Sequence, residues 1–485
     1  MRAEHIAVMG QTRRRGNIAT IVSVLALGMA WPVLIYGSVG YGYDSSGYYR
    51  GGRAAVRTAF GAEAVAHAAP KMNARSDANR SPDAPDPVDA TGKPRVGGLR
   101  SIVYSIATYI LSWPGVSLAP LVVAQLLALV GLVVVLLDVR RHADRLVPML
   151  AASGVLIVGS TLPIFATTAL PDVFAGAMIA ALAGLVTGEV RGHAARGWLA
   201  ALVIAAVAAH QSHIALALVA LAVGGIHYVI ALWRGNAMAT IRDWRLAAIA
   251  ILAGLALNLA VSFVGFGEVS VTPKHYPFAL ARSIEDGPAL WYLERACPAR
   301  GYAICELYPN GIPASNFEFL WGSNGISTRA TPAQMDRIRA EEASIVASAL
   351  AAYPFYQLEA SLLNLWRQVS MIGIDPAIFH AIRLDGSGEV ESGVEPTSSP
   401  WLIAVQRIVL AASLAFIAWR WRGLAGAAKG MVAFSLLLIL ANDAICGAIS
   451  APDIRYQNRV LWVIVLIALR LALLSPRGRD AGDAS

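Results

Sequence analysis

One acidic residue stands out for chemistry, Asp44 in the segment YGYDSSGYYR directly after an apolar run. A carboxylate in this position can act as a general base for an acceptor hydroxyl group. Aromatic rings that can stack on sugars lie around it, Tyr41, Tyr43, Tyr48 and Tyr49. The alternative is a solvated aspartate within a belt of interfacial tyrosines. Asp44 is therefore a candidate catalytic base, and its neighbours are candidate substrate-binding residues: Tyr43, Tyr48, Tyr49 and Arg50.

Two further polar positions adjoin apolar runs, Asp172 in LPD and the histidine pair of HQSH. Asp172 can cap the helix that follows it, and it can also hold substrate hydroxyl groups or help to bind a metal. His210 and His213 have the i, i+3 spacing of a metal pair, but zinc sites use more ligands. A tight turn of polar residues is the simpler interpretation of the histidines. Asp172 and His213 join the predicted substrate site.

The segment PDIRYQNR near the C-terminus carries two arginines. Arg455 and Arg459 suit bidentate binding of a phosphate group. Tyr456 is included with them as substrate-binding. The alternative is ion pairing with Asp453 or Glu359. Further cations that lie in the second long loop are Lys274, Arg282 and Arg367.

Asp443, beside Asn442, lies inside an apolar run, where a carboxylate is costly and suggests function. It can pair with Arg455, or it can be a proton-relay residue of a transporter. The sequence contains no G-x-x-x-x-G-K-[ST], no H-E-x-x-H and no G-x-S-x-G motif. The missing phosphate-binding loop argues against ATP-driven transport by this chain.

The elements that must position these residues are membrane helices. Of the 485 residues, 56% are hydrophobic and only 14% are charged, and the mean hydropathy is +0.56. A soluble protein carries about 25% charged residues. The net charge of +8 comes from basic residues between apolar runs, which the positive-inside rule explains, so we reject nucleic-acid binding. The composition predicts an all-α, polytopic integral membrane protein.

Ten apolar runs predict about ten transmembrane helices, because about twenty apolar residues cross a bilayer. The runs are Ile18–Tyr36, Ser117–Leu137, Leu146–Leu162, Val173–Thr187, Trp198–Ala209, Ile214–Trp233, Leu246–Phe266, Trp401–Trp419, Gly430–Ile449 and Val460–Leu474. No small-x-small cleavage site follows the first run, so it is an uncleaved anchor. If the spans alternate, the arginine-rich loops fall on one side. Both termini are then cytoplasmic.

The predicted organisation has five parts. They are the N-terminus with the first transmembrane helix (1–36), an outer loop with interfacial helices and Asp44 (37–116), transmembrane helices 2–7 (117–266), an outer loop subdomain (267–400), and transmembrane helices 8–10 with the C-terminus (401–485). Within the first outer loop, Pro70–Arg95 is rich in Pro, Asp and Ala and has the composition of a disordered stretch.

The second outer loop contains two predicted helices and a cysteine pair. Thr331 and Pro332 form an N-cap signal that starts a helix extending to about Ala352. Pro354 opens the next helix, whose apolar stripe predicts a position in the membrane interface. The stripe consists of Phe355, Leu358, Leu362, Trp366 and Val369. Cys297 and Cys305 suit a short-loop disulfide, with two free thiols as the alternative.

A first span followed at once by an outer-face aspartate and a loop of surface helices resembles the membrane glycosyltransferases of the GT-C superfamily. These include the aminoarabinose transferases of lipid A and the protein O-mannosyltransferases. The segments LPDVFAG, QSH, YPFYQLEASLLNLWRQ and RYQNR are similar to bacterial members. Many members carry a second acidic residue beside the catalytic one, whereas Ser45 follows Asp44 here. No cofactor is therefore assigned, and a divalent metal stays an open requirement.

The resemblance implies a polyprenyl-phosphate-linked sugar donor and a glycan or lipid acceptor on the periplasmic side of the bacterial inner membrane. It places Asp44 at the catalytic acidic position and the outer-loop arginines on the donor phosphate, with Arg455 as the first choice. One alternative is an O-antigen-type polymerase or ligase, in which the arginines are essential and Asp44 is dispensable. The other is a secondary transporter or flippase with Asp443 at its centre, which favours two matching halves. We find no such halves in the sequence.

Overall fold

The computed structural model describes residues 2–61, 100–112, 117–235, 237–384, 390–392 and 396–474. Nearly all regular structure in these ranges is helical. A single short hairpin pairs β1 (Ile382–Leu384) with β2 (Val390–Ser392) in antiparallel register. The stretch Pro70–Arg95, predicted to be disordered, lies outside the described residues.

The helices before the second long loop are α1 (Arg2–Met29), α2 (Trp31–Tyr36), α3 (Tyr43–Phe60), α4 (Ile102–Ile110), α5 (Ala119–Leu136), α6 (Leu146–Gly159), α7 (Leu162–Ala166), α8 (Val173–Val186), α9 (His193–Ala209), α10 (Gln211–Trp233) and α11 (Ala237–Phe266). Those that follow are α12 (Phe278–Asp286), α13 (Pro288–Arg300), α14 (Ala303–Leu307), α15 (Asn316–Trp321), α16 (Ile326–Arg329), α17 (Pro332–Ala352), α18 (Pro354–Ser370), α19 (Pro400–Arg420), α20 (Gly426–Ile449) and α21 (Ile454–Leu473). Short 3-10 helices lie at Pro376–Phe379 and Trp421–Gly423.

Six helices in the described ranges are long and apolar enough to cross a membrane. They are α5, α10, the Trp244–Phe266 part of α11, α19 with its following turn, α20 and α21. All ten predicted runs are helical, but the prediction of about ten spans is not confirmed. Helices α6, α8 and α9 have only 14, 14 and 17 residues, short of the about twenty that a bilayer requires. In the ranges that the structure describes, the chain is a nearly all-helical, membrane-embedded protein with six such helices.

The run Leu146–Leu162 shows why the length of an apolar run can overestimate the length of a transmembrane helix. Helix α6 ends where Ser160 adopts an extended backbone, with φ −124° and ψ 165°. The Ser160 hydroxyl donates to the carbonyl oxygen of Leu156 at 2.6 Å. The chain then turns into the five-residue helix α7. Hydropathy alone does not register this break, because serine and threonine interrupt the helix without adding charge.

The helices share two ends. At one end, the Arg14 guanidinium donates to the carbonyl oxygen of Arg140 at 2.7 Å. Arg145 reaches the carbonyl oxygen of Leu473 there, at 3.4 Å. Asp44 follows α1 and α2, and Arg455 begins α21, so both lie at the opposite end. Arg14, Arg140 and Arg145 therefore lie at the opposite end of the helices from the predicted site.

Helix α8 lies at the centre of the helix bundle, and each of its residues is buried. A Cβ atom added at Gly176 would lie 2.7 Å from the carbonyl oxygen of Arg459 and equally close to the Trp462 ring. Glycine therefore permits α8 and α21 to pack at close range. The Trp462 indole donates to the same carbonyl oxygen at 2.8 Å. This contact places the start of α8 against the first turns of α21.

The second long loop forms a subdomain with its own hydrophobic core, built mainly from α12 to α17. The predicted disulfide between Cys297 and Cys305 is present. The predicted helix start is confirmed, since the Thr331 side chain accepts from the Gln334 backbone N–H and α17 covers Pro332–Ala352. The subdomain is tied to the bundle through α18, which follows α17 after a single residue.

Helix α18 buries its polar face and exposes its apolar one. Asn364 and Gln368 are buried, and the Gln368 amide bonds to the backbone of Asp453 at 2.9 and 3.0 Å. The exposed apolar side chains are Phe355, Leu358, Leu362 and Trp366. The predicted helix and its stripe are confirmed, and its position in the membrane interface stays a prediction.

Candidate functional site

Asp44 lies in the first turn of α3, on a chain segment anchored to the approach of α8. The N–H of Ala169 donates to the carbonyl oxygen of Gly40 at 2.8 Å. The Ser45 hydroxyl donates to the carbonyl oxygen of Ala169 at 2.9 Å. Because residue 169 is only three positions before Asp172, these bonds hold both acidic residues in one region. Ser45, which follows Asp44 here, thus anchors the start of α3.

Both carboxylate oxygens of Asp44 are paired with arginine. Oδ1 lies 2.7 Å from Nη2 of Arg100. Oδ2 accepts from Nη1 and Nη2 of Arg455, each at 3.3 Å. The Asp44 side chain is 13% exposed and the Arg455 side chain is 17% exposed. A largely buried, charge-assisted contact therefore joins the predicted base to the predicted phosphate ligand.

Arg455 does not form the alternative side-chain pair with Asp453. Asp453 instead caps α21, since its carboxylate accepts from the Arg455 backbone N–H at 2.8 Å. The Arg455 side chain extends to Asp44 on one side, and its Nε lies 3.5 Å from Asp172 on the other. The capped backbone fixes where this long side chain begins.

Asp172 precedes α8 but makes no side-chain cap hydrogen bond, so its interpretation as a helix cap is wrong. Its Oδ1 accepts from Nη1 of Arg459 at 3.3 Å. Burial raises the pKa of Asp172, but the Arg455 and Arg459 guanidinium groups outweigh it and lower the pKa overall. The carboxylate is therefore ionised, and it is the shared counter-ion of two arginines.

Arg459 is fully buried, and every face of its guanidinium group is occupied by protein. Besides Asp172, it donates to the Ser212 hydroxyl at 3.0 Å and to the Asn442 amide oxygen at 2.9 Å. Its Cζ lies 4.8 Å from the Tyr456 ring centroid. Arg455 approaches the same ring at 5.1 Å. Tyr456 thus lies against both arginines. Because protein groups surround the Arg459 guanidinium, this residue supports the site and is not open to a ligand.

The histidines form a tight polar turn between α9 and α10. His210 Nδ1 accepts from the Ser212 backbone N–H at 3.1 Å. His213 Nδ1 donates to the carbonyl oxygen of Ala206 at 2.8 Å, and its buried Nε2 has no hydrogen-bond partner within the described ranges. Burial and the nearby arginines lower the pKa of His210, so its ring is neutral at physiological pH. No three His, Cys, Asp or Glu side chains in the described part of the chain converge as a metal site.

The tyrosines after Asp44 have different surroundings. Tyr48 packs edge-on against Tyr104 at 4.9 Å, and Tyr49 against Tyr109 at 5.5 Å. Both are buried, so they fasten α3 to α4 and do not present their rings to a substrate as predicted. Tyr43 is 78% exposed, and Arg50 is exposed as well.

Asp443 lies buried in α20, beside the arginine cluster. Its carboxylate accepts from the Asn442 amide at 3.0 Å, and that amide also reaches the Tyr456 carbonyl oxygen. It does not form the ion pair with Arg455 that the sequence suggested, because Arg455 is held by Asp44 and Asp172. Asp443 supports the cluster through Asn442, whose oxygen binds Arg459.

Arg100 is the site residue that sequence reasoning missed. It lies two residues before α4, outside any motif, and its only signal is a cation at the edge of an outer-loop helix. Its guanidinium also lies 5.8 Å from the ring centroid of Trp321 in α15. Arg100 therefore connects Asp44 to the subdomain of the second outer loop.

The other outer-loop cations are engaged elsewhere. Lys274 pairs with Glu268 at 2.8 Å and with Asp336 at 3.1 Å. Arg282 pairs with Asp286 at 2.8 Å. Arg367 reaches the Asn364 amide oxygen at 3.4 Å. None of these contacts brings the cations to Asp44.

Three guanidinium groups, from Arg100, Arg455 and Arg459, contact two carboxylates. In these direct contacts the guanidinium groups outnumber the carboxylates by one, at the end of a membrane-embedded bundle. Such an arrangement can bind an anion, and it places a carboxylate beside it. No family model, curated protein or solved structure matches the chain significantly.

Proposed function

We propose that the chain is a membrane glycosyltransferase that transfers a sugar from a polyprenyl-phosphate donor to a glycan or lipid acceptor. The contact between Asp44 and Arg455 carries this proposal. A base for the acceptor and a cation for the leaving phosphate must face the same anomeric carbon. These two side chains lie together at one end of the helices, where the lipid phosphate of a donor in the bilayer would also lie.

In the proposed reaction, an oxygen of Asp44 takes the proton of the acceptor hydroxyl group. The acceptor oxygen forms a bond to the anomeric carbon while the bond from that carbon to the phosphate oxygen breaks. Polyprenyl phosphate leaves with the electron pair, and Arg455 stabilises its negative charge. A single displacement inverts the configuration at the anomeric carbon. Asp172 and Tyr456 hold Arg455 in place.

The proposal places the site on the periplasmic face of a bacterial inner membrane and both termini in the cytoplasm. Loop arginines at the opposite end of the helices support that orientation through the positive-inside rule. A divalent metal stays open, and no residue is assigned to hold one.

The test is transfer from radiolabelled polyprenyl-phosphate sugars in membranes that contain the wild type or Asp44→Asn at matched expression. We expect a loss of about 100-fold or more, since general bases contribute about 10²–10⁴-fold. Asp453→Asn is the matched control, because it removes a carboxylate two residues from Arg455 and asparagine still caps helices well. Transfer at the wild-type rate by Asp44→Asn would remove the base assignment.

The same variants separate the alternatives. An O-antigen-type polymerase or ligase would tolerate Asp44→Asn and lose activity on Arg455→Ala. A transporter or flippase would show no transfer by the wild type and would depend on Asp443. For a glycosyltransferase, Arg455→Ala raises the donor KM and lowers kcat, whereas Asp443→Asn leaves the chemical step intact.

A further inference from the structure

Both carboxylate oxygens of Asp44 are engaged by arginine. Oδ1 is 2.7 Å from Arg100, and Oδ2 is shared by both terminal nitrogens of Arg455. In this arrangement the base and the phosphate ligand satisfy each other, so neither can act.

Arg455 offers the same two nitrogens that a phosphate group would use. A guanidinium binds phosphate through two parallel N–H bonds. Nη1 and Nη2 are both directed at Asp44 Oδ2, while Nε faces Asp172. A bidentate phosphate therefore cannot bind Arg455 while Asp44 keeps this contact.

We propose that Asp44 occupies the phosphate position of this site when no ligand is bound, and that a lipid phosphate displaces it from Arg455. The inference rests on the proposed function. The incoming phosphate takes Nη1 and Nη2, and Oδ2 becomes free to accept the acceptor proton. Binding is then ordered, with the phosphate-linked donor before the acceptor, and the base is active only when a donor is present.

The exchange needs only a local movement. The Arg455 backbone is held by the Asp453 cap at 2.8 Å, and Asp172 and the Tyr456 ring still contact the side chain. Asp44 keeps its contact with Arg100 through Oδ1. Both groups can therefore change partners without moving α3 or α21.

The test measures binding of a short-chain polyprenyl monophosphate to the purified full chain in detergent, with the matching polyprenol as the uncharged probe. Asp44→Asn removes the competing charge, so we expect the phosphate to bind about tenfold tighter than to the wild type, equivalent to about 1.4 kcal/mol. Polyprenol affinity should not change. Asp44→Glu keeps the charge and should not gain affinity, and Asp453→Asn controls for a general loss of negative charge.

Asp44→Ser is a second neutral variant and should show the same gain, with folding of each variant checked by its thermal transition. Equal or weaker phosphate binding by folded Asp44→Asn and Asp44→Ser, while the wild type still prefers the phosphate to polyprenol, overturns the inference and leaves the proposed function standing. Absence of any preference for phosphate in the wild type removes both.

Discussion

Arg459 illustrates how costly charges are arranged in this molecule. It is fully buried, and its positive charge is compensated by three groups on different helices or helix starts, Asp172, Asn442 and Ser212. Breaking a buried pair costs more than the pair contributes, because the remaining charge is left without a partner. Arg459 therefore contributes mainly to the stability of the fold. It affects the site only through its contact with Asp172.

We predict that Arg459→Met destabilises the protein by about 3 kcal/mol, the lower end for breaking a buried pair, since Arg455 still contacts Asp172. Thermal unfolding in detergent measures this change. The double variant Asp172→Asn, Arg459→Met should recover part of the loss, because the buried carboxylate is also neutralised. A double variant that is less stable than the single one would contradict the pairing argument.

His275 gives the subdomain a pH dependence. Its Nε2 lies 3.1 Å from Glu342, which also accepts from the N–H groups of Ala279 and Leu280 at the start of α12. The hydrogen bond to Glu342 raises the pKa of His275 against the opposing effects of burial and of Arg339. A raised pKa means that this stabilisation is complete below about pH 6.5. It is lost as the pH rises through the folded-state pKa.

The expected outcome is local. His275→Gln should weaken amide-exchange protection of α12 relative to the wild type at pH 6, and the difference should shrink by pH 8.5. Hydrogen exchange followed by mass spectrometry, with both proteins compared at the same pH, measures it. A difference that grows with pH would show that the charged imidazole is not the stabilising form.

At the scale of elements, α18 links an exposed apolar stripe to the site. The stripe residues Phe355, Leu358, Leu362 and Trp366 are 56–82% exposed, and the buried face bonds to the segment that carries the arginines. Gln368 holds the backbone of Asp453, the residue that caps α21. An amphipathic helix with its apolar face outward is stable where that face meets lipid. The helix would then set the depth of Arg455 relative to the phosphate layer.

We predict that the stripe of α18 is immersed in lipid. A fluorophore on Leu362→Cys should be quenched by spin-labelled lipid, while one on the exposed subdomain position Asn310→Cys should not. Labelling is selective because Cys297 and Cys305 are bonded and Cys446 is buried. Equal quenching at both positions would place α18 in water.

At the scale of the whole molecule, the two ends of the bundle carry different charges. The arginine-rich loops meet at one end, and the predicted site and the subdomain lie at the other. By the positive-inside rule, we propose that the first end is cytoplasmic. This proposal depends on which loops share an end, so the loss of a pair of spans does not change it.

We predict that a membrane-impermeant maleimide labels Asn310→Cys from the outer side and labels Arg422→Cys only after permeabilisation. Arg422 is one of the loop arginines predicted to be cytoplasmic. The reverse pattern would invert the orientation and place the site on the cytoplasmic side. Labelling of both positions without permeabilisation would indicate broken membranes, which a cytosolic marker protein controls.

The sequence by itself determined the class of protein, the helices of the apolar runs and the starts of α17 and α18. These features depend on local composition and on caps a few residues apart, such as Thr331 with Gln334. Most of the site residues could also be identified from it, because they are polar residues at the ends of apolar runs: Asp44, Asp172, Arg455 and Arg459.

Only the tertiary structure decided how these residues are partnered. Asp44 and Arg455 are 411 residues apart in the chain, and no local pattern encodes such a contact. Burial between α8 and α21 turned Asp172 from an expected helix cap into the counter-ion of two arginines. Packing against α4 likewise buried Tyr48 and Tyr49. The fold also placed Arg100 beside Asp44. Charge pairing in a low-dielectric interior is set by which groups the fold places within reach of each other.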